Sequence, residues 1–310
     1  MRQLVYDISH TTSYGYAGSV SVSHHLLRLT PRRTIRQRCL SHNLSVEPSP
    51  SATSAHSDYF ANTTHFITIE RPHTELVLKS RSRVAVSPAL IPEPQETPAW
   101  ENVRARCRDD HSGQTLEAHE FTYASPLVPS GANFADYVAP SFAKHRPILD
   151  AVTDLTHRIH EDFQFDPIAT TVTTPVQEVF RQRRGVCQDF AQFQIACLRS
   201  IGLPARYVSG YLETDPPPDR PKLRGADASH AWVSFFCPGH GWLDVDPTNN
   251  CFPSLRHITI AWGRDYCDVA PVRGVLAGGQ DQQLRVAVDV VACGPVNGDG
   301  PFGGAGNEVD

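Results

Sequence analysis

Three side chains in the second half of the chain have the types and spacing for acyl chemistry: Cys187, His230 and Asp246. Cys187 stands just after Gly185, at the mouth of a predicted helix in GVCQDFAQFQIACLRSIGLPARYVSGY, residues 185–211. Phe190, Phe193, Ile195, Ala196 and Leu198 fall at helical spacing, and Arg199 occupies the last turn, where a cation complements the helix dipole. Gly202 and Pro204 end the helix, and Arg206 to Tyr211 returns as a strand. Backbone N–H groups in the first turn of a helix have no intrahelical partner and favour negative charge, so a thiolate is stabilised there. The same groups can hold an oxyanion. Cys197, deeper in the helix among apolar neighbours, is expected to pack rather than react.

Cysteine is among the most buried residue types, and for an arbitrary one a packing role is the better expectation. A second motif overturns that expectation for Cys187. Residues 228–236, ASHAWVSFF, and 241–248, GWLDVDPT, read as two strands joined by a Pro238-Gly239 turn. His230 opens the first strand and Asp246 closes the second, which puts both at the same end of the hairpin. A helix-borne cysteine, an imidazole and a carboxylate that orients it form the nucleophile–base–orienter set of thiol acyl transfer. Asp244 shares a strand face with Asp246, so alternation cannot separate them. Register favours Asp246, because Pro247 marks the strand end beside His230.

These three motifs together, GVCQDFAQF…GLPARYVSGY, DASHAWVSF and GWLDVDPTNN, resemble the transglutaminase-like superfamily of papain-like cysteine enzymes, in its bacterial form with a β-rich N-terminal region. The resemblance implies Cys187 as nucleophile, His230 as base and Asp246, in the D-P-T element, as orienter. It also implies a thioester mechanism on peptide or glutamine-type amides. Papain-like enzymes place a glutamine shortly before the cysteine as an oxyanion donor, and Gln182 is the candidate by spacing. Gln188, Asp189 and Trp232 are supporting candidates. A similar W-G-R-D-Y element occurs in the family and stands here at Trp262 to Tyr266, with no role derivable from its residues.

Positioning these groups needs a sizeable core, and the composition supplies one. The chain has 310 residues, 40% of them hydrophobic, and a formal charge of −5. No basic stripe is present, so nucleic acid is not an expected partner. No stretch approaches the roughly 20 apolar residues of a membrane helix, and the N-terminus lacks the apolar core of an export signal, so a cytoplasmic location is expected. Eight cysteines without a CxxC pair do not make a disulfide framework. The histidine pairs His24-His25, His111 and His119, and His157 and His160 lack the spacing of a zinc site, so neither metal nor other cofactor is expected.

Residues 1–90 alternate as β-strands throughout, with turn residues between runs, which predicts an antiparallel, sandwich-like domain. The proline-rich SPALIPEPQETP, residues 87–98, reads as the linker, and residues 91–293 as the catalytic core. Residues 147–163 form an amphipathic helix, with Ile148, Val152, Leu155 and Ile159 on one face. Thr174-Pro175-Val176-Gln177 starts another helix, with threonine as cap and proline in the first turn. The arginines at 181, 183 and 184 read as a solvated face, with thiolate support as the alternative. The proline-rich 212–229 stretch is an irregular loop, and the Gly-rich tail 294–310 is expected to be disordered.

The expected protein is thus an α+β cysteine enzyme acting on a protein or peptide substrate. Water as the attacking group gives a protease or amidase, and an amine gives a transglutaminase. The rival is a catalytically silent interaction module that keeps the fold; the presence of all three residues argues against it.

Overall fold

A computed structural model describes residues 3–110, 112–215 and 227–296. Its first layer is a seven-stranded sheet organised on one very long strand, β1 (Gln3–Leu27). On one side β1 pairs along its first half with β5 (His73–Val86) and near its end with β4 (Thr63–Ile69). Strands β2 (Gln37–Glu47) and β3 (Ala52–Ser57) extend that side beyond β5 and β4. Tyr16, Val20, Leu27, Ile69, Leu76 and Leu78 meet in a small core of their own, which requires the sheet to curl on itself. Curling follows from the irregularity in the β1–β5 pairing between Gly15 and Val20.

The second layer is helical and carries the main core. Helices α1 (Trp100–Asp109), α2 (Gly113–His119), α3 (Ala132–Val138), α4 (Ile148–Asp162) and α5 (Val176–Gln182) surround α6 (Cys187–Ser200). A short parallel pair, β6 (Gln164–Phe165) and β7 (Arg184–Gly185), ties the end of α4 to the start of α6. The predicted start of α5 shifts slightly: Pro175 itself takes the N-cap, while the Thr174 hydroxyl accepts from the Thr171 N–H at 2.9 Å.

The third layer is a four-stranded antiparallel sheet in the order β10-β9-β8-β11, made of β8 (Ala205–Leu212), β9 (Ala228–Cys237), β10 (Gly241–Val245) and β11 (His257–Gly263). Helix α6 packs across β8 and β9, and nearly all its side chains are buried. The edge strand β11 meets side-chain amides instead of another strand. Gln37 donates to the Thr259 carbonyl at 2.7 Å and accepts from its N–H at 2.8 Å, and Asn62 does the same for Trp262 at 2.9 and 3.0 Å. Two amides thus satisfy an exposed edge and fasten the first sheet to the third.

One expected boundary is corrected. After α7 (Tyr266–Val269), strands β12 (Val272–Gly278) and β13 (Gln282–Val296) pair with β1, not with the β10-β9-β8-β11 sheet. The β region is therefore assembled from both ends of the chain, and residues 91–293 are not one unit. Alternation identifies a strand but not its partner, which is why the sequence reading missed this. Gly294 to Val296 complete β13 instead of beginning a tail. The rest of the expected tail, 297–310, and most of the proline-rich stretch, 216–226, lie outside the described residues, as does His111.

The W-G-R-D-Y element works as a fastener. Trp262 is sandwiched between Arg32 and Arg206, whose guanidinium carbons lie 3.5 and 3.7 Å from its ring centre. Asp265 caps α7 by accepting from the Cys267 N–H at 2.8 Å, and it accepts from the Leu127 N–H at 2.9 Å. The Arg264 carbonyl accepts from the buried Arg199, which also holds the carbonyls of Phe121 and Ala205. Burial pulls the Arg199 guanidinium down to about 10, so it stays charged at neutral pH.

Candidate active site

Cys187 occupies the first position of α6 and remains partly exposed. The turn that delivers it is built by Asp189, whose carboxylate accepts from the Val186 N–H at 2.8 Å and from the Thr170 hydroxyl at 2.6 Å. Gly185 is required there: a Cβ would meet the Asp189 carboxylate at 2.5 Å. Burial raises the Asp189 carboxyl, with these two hydrogen bonds opposing it. Asp189 therefore shapes the helix mouth and is not turned toward the cleft.

The hairpin delivers the other two groups. Val245 pairs with Val233, so Asp246 closes β10 one step further on, beside the start of β9. The His230 Nε2 lies 2.7 Å from Asp246 Oδ2, and its imidazole lines the same cleft as Cys187. With Nε2 committed to the carboxylate, Nδ1 is the ring nitrogen left for the sulfur. Burial would depress this imidazole, but its hydrogen bond to Asp246 and the negative charges of Asp246 and Cys187 outweigh burial and push it up to about 10. A protonated imidazole beside Sγ stabilises a thiolate.

Asp246 is fully buried and acts purely as an acceptor. Oδ2 takes His230, the Asn249 side-chain amide at 2.7 Å and His257 Nε2 at 3.1 Å; Oδ1 takes the N–H groups of Thr248 and Asn249 at 2.9 and 3.2 Å. Burial alone would raise this carboxyl, yet the two histidines and Asn249 hold it well below the ordinary carboxylate range. Asp244 points elsewhere: it accepts from Trp232 Nε1 at 3.3 Å, and its charge favours the protonated forms of the half-buried Arg36 and the buried Arg206.

Sequence reasoning missed Asn249 and His257. The first follows the D-P-T element directly. His257 opens β11, and burial lowers its imidazole, so it donates to Asp246 as a neutral ring. Its Nδ1 is buried without a partner among the described residues. Trp232, fully buried, stands edge-on to His257 at 5.3 Å and packs both imidazoles in place. His230, Asp246 and His257 also form the group whose donor atoms lie within 4.8 Å of one another, as a metal site requires. Those atoms are already engaged in N–H···O bonds, which a metal would have to replace. Of the histidines in the expected pairs, His24 meets Thr68, His119 meets Tyr123, and His157 and His160 meet Asn250 and the Thr248 carbonyl, while the buried His25 Nε2 has no hydrogen-bond partner among the described residues.

Gln182 is not brought to the site. It is exposed at the end of α5 and donates to Glu178. Gln188 does reach the cleft wall, with its amide on the Val172 carbonyl at 3.2 Å. Arg183, in the left-handed region at φ 55°, lies over the rings of Tyr137, Phe163 and Phe180, away from the sulfur.

Cys187 and His230 open into a cleft of about 280 Å³. One wall comes from the α6 and β8–β9 region, including Tyr207, with Tyr266; the facing wall is His10, Thr12 and Tyr14 of β1 with Leu284 and Val286 of β13. His10 is a neutral structural ring, pushed down to about 4 by burial and held between Tyr211 and Thr12 at 2.8 Å each. Burial, reinforced by negative charge at Cys187, lifts the Tyr207 hydroxyl far above its ordinary range, so it remains a proton donor.

A helix-borne cysteine packed on an antiparallel sheet that carries the histidine and aspartate is the papain-like α+β core. Residues 136–247 match the transglutaminase-like superfamily, and residues 6–85 match the bacterial transglutaminase-like N-terminal region. An uncharacterized protein of Mycobacterium tuberculosis is 38% identical over 302 residues, covering 95% of this chain and 94% of that one. The chain belongs to the transglutaminase-like superfamily. A solved structure of a candidate cysteine protease from Cytophaga hutchinsonii shares the fold, with a TM-score of 0.76 at 20% identity over 94% of this chain and 92% of that one. A protein-glutamine gamma-glutamyltransferase of Pseudomonas aeruginosa is 33% identical over 129 residues, 40% of this chain and 19% of that protein.

Proposed function

We propose that the protein is a cysteine-dependent acyl-transfer enzyme acting on peptide or glutamine-type amides. The observation that carries this reading is the continuous line from Cys187, partly exposed at a helix mouth, through His230 to a buried, five-donor Asp246. Cys187 attacks the amide carbonyl, the C–N bond breaks, and His230 gives its proton to the departing amine. The thioester then passes its acyl group to water or to an amine. The Cys187 N–H is one oxyanion donor. The Tyr207 hydroxyl, on the same cleft wall, is the second. Tyr207→Phe should therefore lower kcat by about 10²-fold while Cys187 remains open to alkylation.

One experiment tests the reading as a whole: limiting iodoacetamide with peptide mapping, run beside amide turnover across pH. Alkylation should favour Cys187, because burial raises the thiols of the other seven cysteines, including the exposed Cys293. The His230 proton is present below about 10 and lost above it, so turnover should fall as pH rises through about 10. Alkylation, which needs no acid, should not fall there. Equal labelling of Cys39 or Cys251 would leave the chain a catalytically silent module.

A further inference from the structure

Among the described residues, the outer edge of β13 has no strand partner where it passes Cys187. The Asp227 N–H donates to the Val288 carbonyl at 3.1 Å, and the Asp227 carboxylate accepts from the Val290 N–H at 2.7 Å. The backbone groups of Val288 and Val290 therefore point away from β1. Backbone groups reverse direction at each residue along a strand, and the β1–β13 register is unbroken from Ala292 to Gln282. Those of Val286 and Leu284 therefore point the same way as Val288. Among the described residues they have no hydrogen-bond partner on that side.

Exposed edges are normally blunted by charge, proline or a covering element, since their free groups recruit another strand. Here Leu284 and Val286 instead present apolar side chains that are 55% and 50% exposed, next to Thr12 and Tyr14 across the strand pair. All four line the cleft that holds Cys187 and His230. Asp227 already occupies the edge one step before the cleft, just ahead of β9, which carries His230. Where β9 turns toward β8, no described residue covers the edge beside the sulfur. A row of free N–H and C=O groups spaced as in a strand is complementary to another extended backbone, and the apolar face beneath suits apolar side chains at alternate positions.

We propose that the acyl donor is a polypeptide that docks as an added strand on the β13 edge at Leu284 and Val286, continuing the Asp227 pairing and laying its reactive carbonyl over Cys187. The β region then supplies the substrate platform. This rests on the thiol-enzyme reading above, and its test is chosen to separate the two. The wild-type protein is alkylated with iodoacetamide and with an iodoacetyl-capped pentapeptide of alternating leucine and alanine, and the two second-order rates at Cys187 are compared. Strand addition predicts that the peptide reacts at least about tenfold faster. N-methylation of its backbone amides, which removes the donors, should bring the ratio to about one. Val286→Pro, which deletes an outward N–H and no β1 ladder bond, should do the same. A peptide no faster than iodoacetamide, or an N-methylated one equally fast, overturns the docking proposal and leaves the enzyme reading intact. Failure of iodoacetamide itself to label Cys187 overturns both.

Discussion

Cys187→Ala is expected to reduce acyl transfer to background while changing stability by no more than about 1 kcal/mol. The sulfur is partly exposed at the first position of α6, so its removal leaves no sealed cavity. The helix mouth does not depend on it, because Asp189, Thr170 and Gly185 hold the turn. Cys197 supplies the contrast. It is fully buried in the same helix, and Cys197→Ser puts a hydroxyl among apolar side chains at a cost of about 1–3 kcal/mol, with the site geometry kept. Thermal melts and turnover of both variants check the pair. A Cys187→Ala protein that melts far below wild type would mark the cysteine as structural.

Asp246→Asn is expected to cut turnover by up to about 10⁴-fold, as loss of the orienting carboxylate does in serine triads. The geometry adds a second effect. The Thr248 and Asn249 N–H groups require an oxygen at Oδ1, so the new amide nitrogen must take the Oδ2 position. There it faces His230, His257 and Asn249, all of which donate to the wild-type carboxylate. Donors left facing a donor in a buried site cost roughly 1–3 kcal/mol, so the variant should also melt earlier. Asp244→Asn should show the opposite split: turnover close to wild type, with a lower melting temperature because the buried Arg206 and the half-buried Arg36 lose a nearby negative charge. If Asp244→Asn proves inactive and Asp246→Asn active, the assignment of the orienter is wrong.

Local pattern sufficed for much of this site. The helix that bears Cys187 was legible because apolar spacing, a preceding glycine and a terminal Gly-Leu-Pro are all local signals. The position of Asp246 opposite the start of β9 was legible because a tight hairpin sets its own register. Spacing along the chain misled for Gln182: Arg183, in the left-handed region, ends α5 and leaves that glutamine on the surface beside Glu178. His257 escaped notice because it reaches Asp246 only through the pairing of β11 with β8, a contact between distant segments.

By itself the sequence determined the α+β class, the helix-borne cysteine and the hairpin that aligns His230 with Asp246. Only the tertiary structure decided that β12 and β13 return to β1, that Asn249 and His257 share the buried carboxylate, and that Tyr207 and the β13 edge face the sulfur. The physical reason is the range of the interactions. Helix periodicity, caps and two-strand turns are set by neighbours within a few residues. The partner of a strand is set by which apolar faces must be buried together, and the alternation of a single strand carries no record of that.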